Sequence, residues 1–255
     1  METTRKELLT SKCLVVIAFI TVVYLGKRYA VPSVEVECIK DPIHDALTYF
    51  NDAVNNNLSL ARFLQISSSM LMDIVFVTLY GYWVFNISTG RVIYATGIFY
   101  LVRAITQTFI VLRFPDGYYW DDPHIPSIVV PYGRTSDFFY SGHCGFLNLC
   151  ALEWLRNGKN NYFKIVQIIN AYMAIVMLIF RIHYMIDITT AIFISHYIYI
   201  LVEQNLELLD NLSFRYYQAL KLKIFECQKG TKTEDIQESL ITSKIELLPI
   251  QKQSK

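Results

Sequence analysis

The chain has 255 residues, of which 53% are hydrophobic and 18% charged, and its formal net charge is +1. That balance is too apolar for a disordered chain and too even for a binder of nucleic acid or another polyanion. The apolar residues gather in blocks that few soluble folds could bury. A membrane span takes about 20 of them, so six spans would fill roughly half the chain and leave no room for a large second domain.

In chain order, the first block, Leu14 to Leu25, is short and lies between Lys12 and Lys27-Arg28. A basic start before a short apolar run also describes a secretory signal peptide. No small-x-small cleavage site follows it, and the block is read as an uncleaved first span. Residues 64–85, 92–112 and 141–155 are each nearly long enough to span. Residues 162–203 are apolar for twice that length, and Arg181-Ile182-His183 is the place for a tight turn between two helices. The expected fold is all-α: a polytopic membrane bundle of six transmembrane helices over residues 13–203, between a cytosolic N-terminus (1–12) and a cytosolic tail (204–255). Lys and Arg near the span ends number ten on the N-terminal side of the membrane and seven on the other. The positive-inside rule then puts loops 27–63 and 113–140 on the luminal or extracellular side. No sorting signal chooses among Golgi, endoplasmic reticulum and plasma membrane. The five cysteines are scattered, without a C-x-x-C or Cys/His cluster, so no metal or other cofactor is expected.

Ionisable residues at membrane helices are costly to bury and point to function. Two clusters stand out: Asp137-Phe-Phe-Tyr-Ser141-Gly142-His143 opening the fourth helix, and Arg181-Ile-His183-Tyr184-Met-Ile-Asp187 opening the sixth. On this topology both fall at the luminal surface. His183 and Asp187 are four apart, which places them on one helix face. A carboxylate there can hold one imidazole nitrogen as N–H and leave the other free to attack. Ser141-Gly142 suits a helix start, where free backbone N–H groups favour a phosphate, with His143 beside it as acid and base.

These residues resemble the phosphatidic-acid-phosphatase type 2 superfamily, in which S-G-H on one helix is followed by H-x-x-x-D on another. More narrowly, Asp137-x-x-x-Ser141-Gly142-His143, His183-Tyr184-x-x-Asp187-Ile188-x-x-Ala191 and Tyr100-Leu-Val-Arg103-Ala-Ile105-Thr106 are similar to signature motifs of the sphingomyelin synthase family. The resemblance covers roughly residues 35–200. The chain departs from that pattern at Thr135-Ser136, where the family has Cys-Gly, and at Cys144, where a Thr is usual; Asp41-Pro42-Ile-His44-Asp45 matches the family's Pro-Leu-Pro-Asp segment only loosely. The superfamily's phosphatases carry a K-x6-R-P motif and an arginine six residues before the second histidine. Here Arg113-Phe114-Pro115 is not Arg-Pro, and the second position is Met177. A phosphate monoester carries nearly two charges and a diester one, so the missing cations favour a diester.

The resemblance implies a catalytic triad of His143, His183 and Asp187. It also implies transfer of a phosphocholine or phosphoethanolamine head group from a phospholipid donor to ceramide, or to diacylglycerol, through a phosphohistidine on His183. Asp137 could orient His143 or simply cap the helix.

Arg103 and Asp73 lie at similar depth and read foremost as a buried pair; the alternative is that Arg103 reaches the phosphate. Arg134 and Arg113 are further candidates for that contact. The aromatics Tyr118, Tyr119 and Trp120, set among Asp116, Asp121 and Asp122, could bind a quaternary ammonium group or serve as an interfacial belt.

Overall fold

A computed structural model describes residues 12–14, 16–17, 20–21, 41–110, 112–133 and 138–218. Most of the first apolar block, together with Arg134 and Asp137, lies outside these. The chain divides into two units, Met1–Leu209 and Asp210–Lys255; in the second, residues 210–218 are helical.

Among the described residues the first unit is all helix and connection, with no strand. Asp41 starts α1 (Pro42–Ala46) by accepting from the Ile43 amide at 2.9 Å, and Pro42 stands where a missing N–H costs nothing. Helix α2 (Thr48–Asn56) follows directly, and Asn57 then caps α3 (Leu58–Asn86) through the Leu60 amide at 3.1 Å. Helices α4 (Arg91–Phe109), α5 (Gly142–Arg156), α6 (Asn160–Ile179) and α7 (Met185–Gln204) follow. Gly158, at φ +70°, makes the turn from α5 to α6, and its amide returns to the Leu155 carbonyl.

Among the described residues four helices, α3, α4, α6 and α7, are long and apolar enough to cross a membrane. At 15 residues and about 22 Å, α5 is shorter than a hydrocarbon core of about 30 Å. It is the central helix nonetheless. On one side Phe146, Leu147 and Cys150 pack into a cluster with Met72, Leu79 and Met177; on the other, Leu149 joins Ala95, Phe99, Ala191 and Ile198. The outer helices turn Phe85, Phe109, Ile168 and Phe193 outward, as a lipid-facing surface requires. The apolar block from 162 divides where expected, since α6 ends at Ile179 and α7 begins at Met185.

Lipid gives helices no hydrophobic reason to associate, so close packing and polar links must hold such a bundle. At one end Arg91 grips Glu153 with two hydrogen bonds of 2.9 Å, and the Tyr199 hydroxyl adds a third at 2.8 Å, joining α4, α5 and α7. Midway, Asn148 donates to Ser195 at 2.9 Å and accepts from Gln167 at 3.1 Å, joining α5, α7 and α6. The starts of α5 and α7 meet at the other end.

Candidate active site

The α6–α7 turn carries His183. Arg181 adopts φ +52° within it, and the Ile182 amide returns to the Met177 carbonyl at 3.0 Å. Two carboxylates then occupy the start of α7: Asp187 accepts from the Tyr184 amide at 2.8 Å, and Asp41 from the Met185 amide at 2.6 Å. His183 therefore lies before the helix, not on its face. The two side chains are nevertheless close, because the turn folds the ring back to set His183 Nδ1 3.6 Å from Asp187 Oδ2, which is beyond hydrogen-bond reach. Both side chains are buried, and His183 Nδ1 and Asp187 Oδ1 have no hydrogen-bond partner.

Helix α5 starts beside this turn. Ser141 is its cap, accepting from the Cys144 amide at 3.4 Å, and His143 is its second residue. The Ser141 amide donates to the Asp187 carbonyl at 3.1 Å, which locks the two helix starts together. The rings of His143 and His183 come to 6.0 Å between centroids, tilted by 66°. His143 is half-buried, whereas His183 is 3% exposed.

Arg103 extends from α4 to the same place. Its Nε donates to the Tyr140 carbonyl at 2.7 Å, and a side chain at Gly142 would meet that Nε at 3.4 Å and Tyr100 at 3.3 Å. The guanidinium thus lies against the start of α5, at ordinary contact distance from where a Cβ at 142 would stand, and the Tyr100 ring is the tighter neighbour there. The buried Arg103–Asp73 pair is not formed. Asp73 instead accepts from the Ser127 hydroxyl at 2.9 Å and from the Ile128 and Val129 amides at 3.0 Å each, tying the 121–130 loop onto α3. Three donors satisfy the carboxylate without an arginine.

The aromatic loop covers the α6–α7 turn. Tyr118 packs against Phe114 and Phe138, and its hydroxyl donates to the Gly133 carbonyl at 3.2 Å. The Tyr119 amide donates to the Phe180 carbonyl at 3.1 Å. Trp120 is 3% exposed, with its ring against Phe180 and Tyr132 and its Nε1 on the Pro131 carbonyl, so its faces are taken by protein. Among the described residues no group of three or more His, Cys, Asp or Glu side chains could hold a metal ion.

The segment before α3, which the sequence marked only loosely, lies against this site. His44 is buried, touches the Tyr184 ring and reaches the His183 carbonyl through Nε2 at 2.9 Å. Burial lowers its pKa, so the ring is neutral near pH 7. Burial likewise raises the Tyr184 phenol to about 12, which keeps it a hydrogen-bond donor to the Arg113 carbonyl. The signal for this region is Asp-Pro at 41–42, a helix start aimed at nothing obvious in the sequence.

Residues 135–205 match the family model described as PAP2 superfamily C-terminal. The match takes in α5, α6 and α7 whole, with both histidines and Asp187. It supports the PAP2 superfamily, whose members are typically phosphatases or phosphotransferases. No curated protein and no solved structure matches the chain.

Proposed function

We propose that this protein is a head-group transferase similar to sphingomyelin synthase, built as six spans with its site on the luminal or extracellular face. It would move phosphocholine or phosphoethanolamine from a glycerophospholipid to ceramide. The observation that carries this reading is the approach of the His143 and His183 rings to 6.0 Å with Asp187 behind His183. One phosphoryl group can touch both rings at that separation.

Asp187 faces Nδ1 of His183, so Nδ1 bears the proton and Nε2 carries the attacking lone pair. Nε2 bonds to phosphorus as the phosphorus–oxygen bond to diacylglycerol breaks, and His143 gives its proton to the departing oxygen. The head group is then held as a phosphoramidate on His183. His143, now neutral, takes the proton of the ceramide hydroxyl, whose oxygen attacks phosphorus and expels Nε2. Both histidines end as they began.

The distribution of charge suits a phosphate over α5. Carboxylates occupy the amides at the start of α7, whereas α5 has no acidic residue in its first turn and has Arg103 beside it. A diester is favoured because Met177, at the position where the phosphatases carry an arginine, is fully buried in the core and brings no cation.

The test is reconstitution with labelled ceramide and, in turn, phosphatidylcholine, phosphatidylethanolamine and phosphatidic acid. A labelled phosphosphingolipid from either of the first two is the expected result. Inorganic phosphate released from phosphatidic acid, with no labelled product, would replace this reading by a lipid phosphate phosphatase.

A further inference from the structure

We propose that His44, on α1, is a positioning residue for His183. This rests on His183 being the nucleophile. The His183 ring is buried but makes no hydrogen bond through Nδ1, since 3.6 Å to Asp187 is longer than one. Its direction is therefore set by the backbone of the turn, and α1 and α2 grip that backbone along its length.

A carbonyl can only accept, so the 2.9 Å contact between His44 Nε2 and the His183 carbonyl puts the proton of His44 on Nε2. On one side of it, Asn51 donates to the Ile179 carbonyl at 2.8 Å and to the Gly117 carbonyl at 2.9 Å. On the other, Asp41 accepts from the Met185 amide at 2.6 Å. Arg181 closes the clasp from within the turn. Its guanidinium donates to the His44 carbonyl at 3.2 Å, the Thr48 hydroxyl at 2.9 Å and the Asp116 carbonyl, which holds the left-handed backbone at 181 in place. Of these contacts only His44 bonds to the backbone of the nucleophile itself. It is also 5% exposed and packed on Tyr184, so water does not compete for the bond.

His44 touches neither the reacting nitrogen nor the phosphate, so its removal should misplace His183 and leave donor binding intact. The experiment uses the full chain in vesicles of phosphatidylcholine and phosphatidylethanolamine with labelled ceramide. His44→Met, which keeps bulk and removes the donor, is expected to lower kcat about 10- to 100-fold, since small misplacements of reacting groups cost that much. KM for the donor lipid should move less than about threefold. His44→Gln returns an N–H donor and is expected to restore kcat to within about threefold of wild type. Should His44→Met not fold, His44→Asn takes its place, because its amide is too short to reach the carbonyl. Wild-type kcat in the donor-less variant, or equal loss in His44→Gln, overturns the proposal.

A second readout separates this idea from the reading beneath it. Carbethoxylation of His183 by diethyl pyrocarbonate, followed by mass spectrometry, should be several-fold faster in His44→Met than in wild type or His44→Gln. If wild type transfers no head group, or His183→Ala still does, the transferase reading falls. Equal carbethoxylation rates then overturn the positioning role as well.

Discussion

The Ser141 amide donates to the Asp187 carbonyl at 3.1 Å, so the start of α5, which carries His143, and the start of α7, just after His183, are joined by backbone and not by the histidines themselves. Side-chain substitutions can therefore remove one chemical group at a time without parting the two helices. That makes the roles of the two rings separable.

His183→Ala is expected to abolish transfer with every donor, because His183 is the proposed acceptor of the head group. His143→Ala should cost about 100- to 10,000-fold with a natural phospholipid, the usual share of a general acid. With a nitrophenyl phosphodiester, whose leaving group needs no proton, the same variant should form the labelled phosphohistidine at near wild-type rate. Burst kinetics with acid-labile, alkali-stable label on His183 provide the check; a slow burst in His143→Ala would remove its role as acid.

Arg103→Gln is expected to weaken both donor binding and turnover, because a guanidinium beside the start of α5 can meet the phosphate before and during transfer. A drop of about 10- to 100-fold in kcat/KM is predicted, corresponding to loss of one charge-assisted hydrogen bond. Asp73→Asn should leave kcat/KM within about threefold of wild type, since this carboxylate holds the Ser127 hydroxyl and the Ile128 and Val129 amides and not Arg103. Lipid-transfer kinetics on the two variants side by side distinguish this from a working Arg103–Asp73 pair, which would make them fail together.

Much of this architecture was legible in the residues. Arg181-Ile182-His183 interrupts a long apolar run, and a charge where lipid-facing residues should continue marks a helix end. The start of α3 was placed late, at 64, because residues 58–63 are not apolar enough to signal a span; the signal was the Asn57 cap. Equal depth suggested Arg103–Asp73, but depth fixes position along a helix and not direction around it. The 121–130 loop has no periodicity to reveal that it folds down onto Asp73. His44 was illegible for a related reason: it lies 139 residues from the carbonyl it binds, and nothing local requires it.

Gly145 is predicted to be irreplaceable for packing. A side chain there would run into the ring of Phe99, which is fully buried and cannot swing away. Gly145→Ala should destabilise by about 1–3 kcal/mol, the usual cost of overpacking. The double variant Gly145→Ala/Phe99→Leu should regain part of the loss. Thermal unfolding in detergent measures both, and additive losses would show that the α4–α5 contact is not what sets the limit.

His44 also predicts a pH dependence of stability. Burial holds its pKa below the ordinary value of 6.5, so the unfolded chain takes up its proton first as pH falls. Its contribution is therefore fully present above about pH 6.5 and is lost between there and its lower folded pKa. His44→Gln should remove that component and flatten the acid side of the curve of Tm against pH. An unchanged curve would mean that other groups set the acid limb.

The Arg91–Glu153 pair gives the sharpest stability prediction, because it lies at the end of the bundle away from the histidines. Glu153 is fully buried and accepts both Arg91 donors and the Tyr199 hydroxyl. Glu153→Gln keeps the shape but leaves a buried guanidinium uncompensated, and breaking such a pair costs about 3–5 kcal/mol. Replacing both partners, Arg91→Met with Glu153→Met, removes the charge along with its counter-charge and should cost much less. The comparison is thermal unfolding of the two variants, with head-group transfer measured at a temperature where both remain folded. Transfer per folded molecule should match wild type in each, since neither residue touches the helix starts at the other end. If the single variant unfolds no sooner than the double one, the pair is not a structural pin.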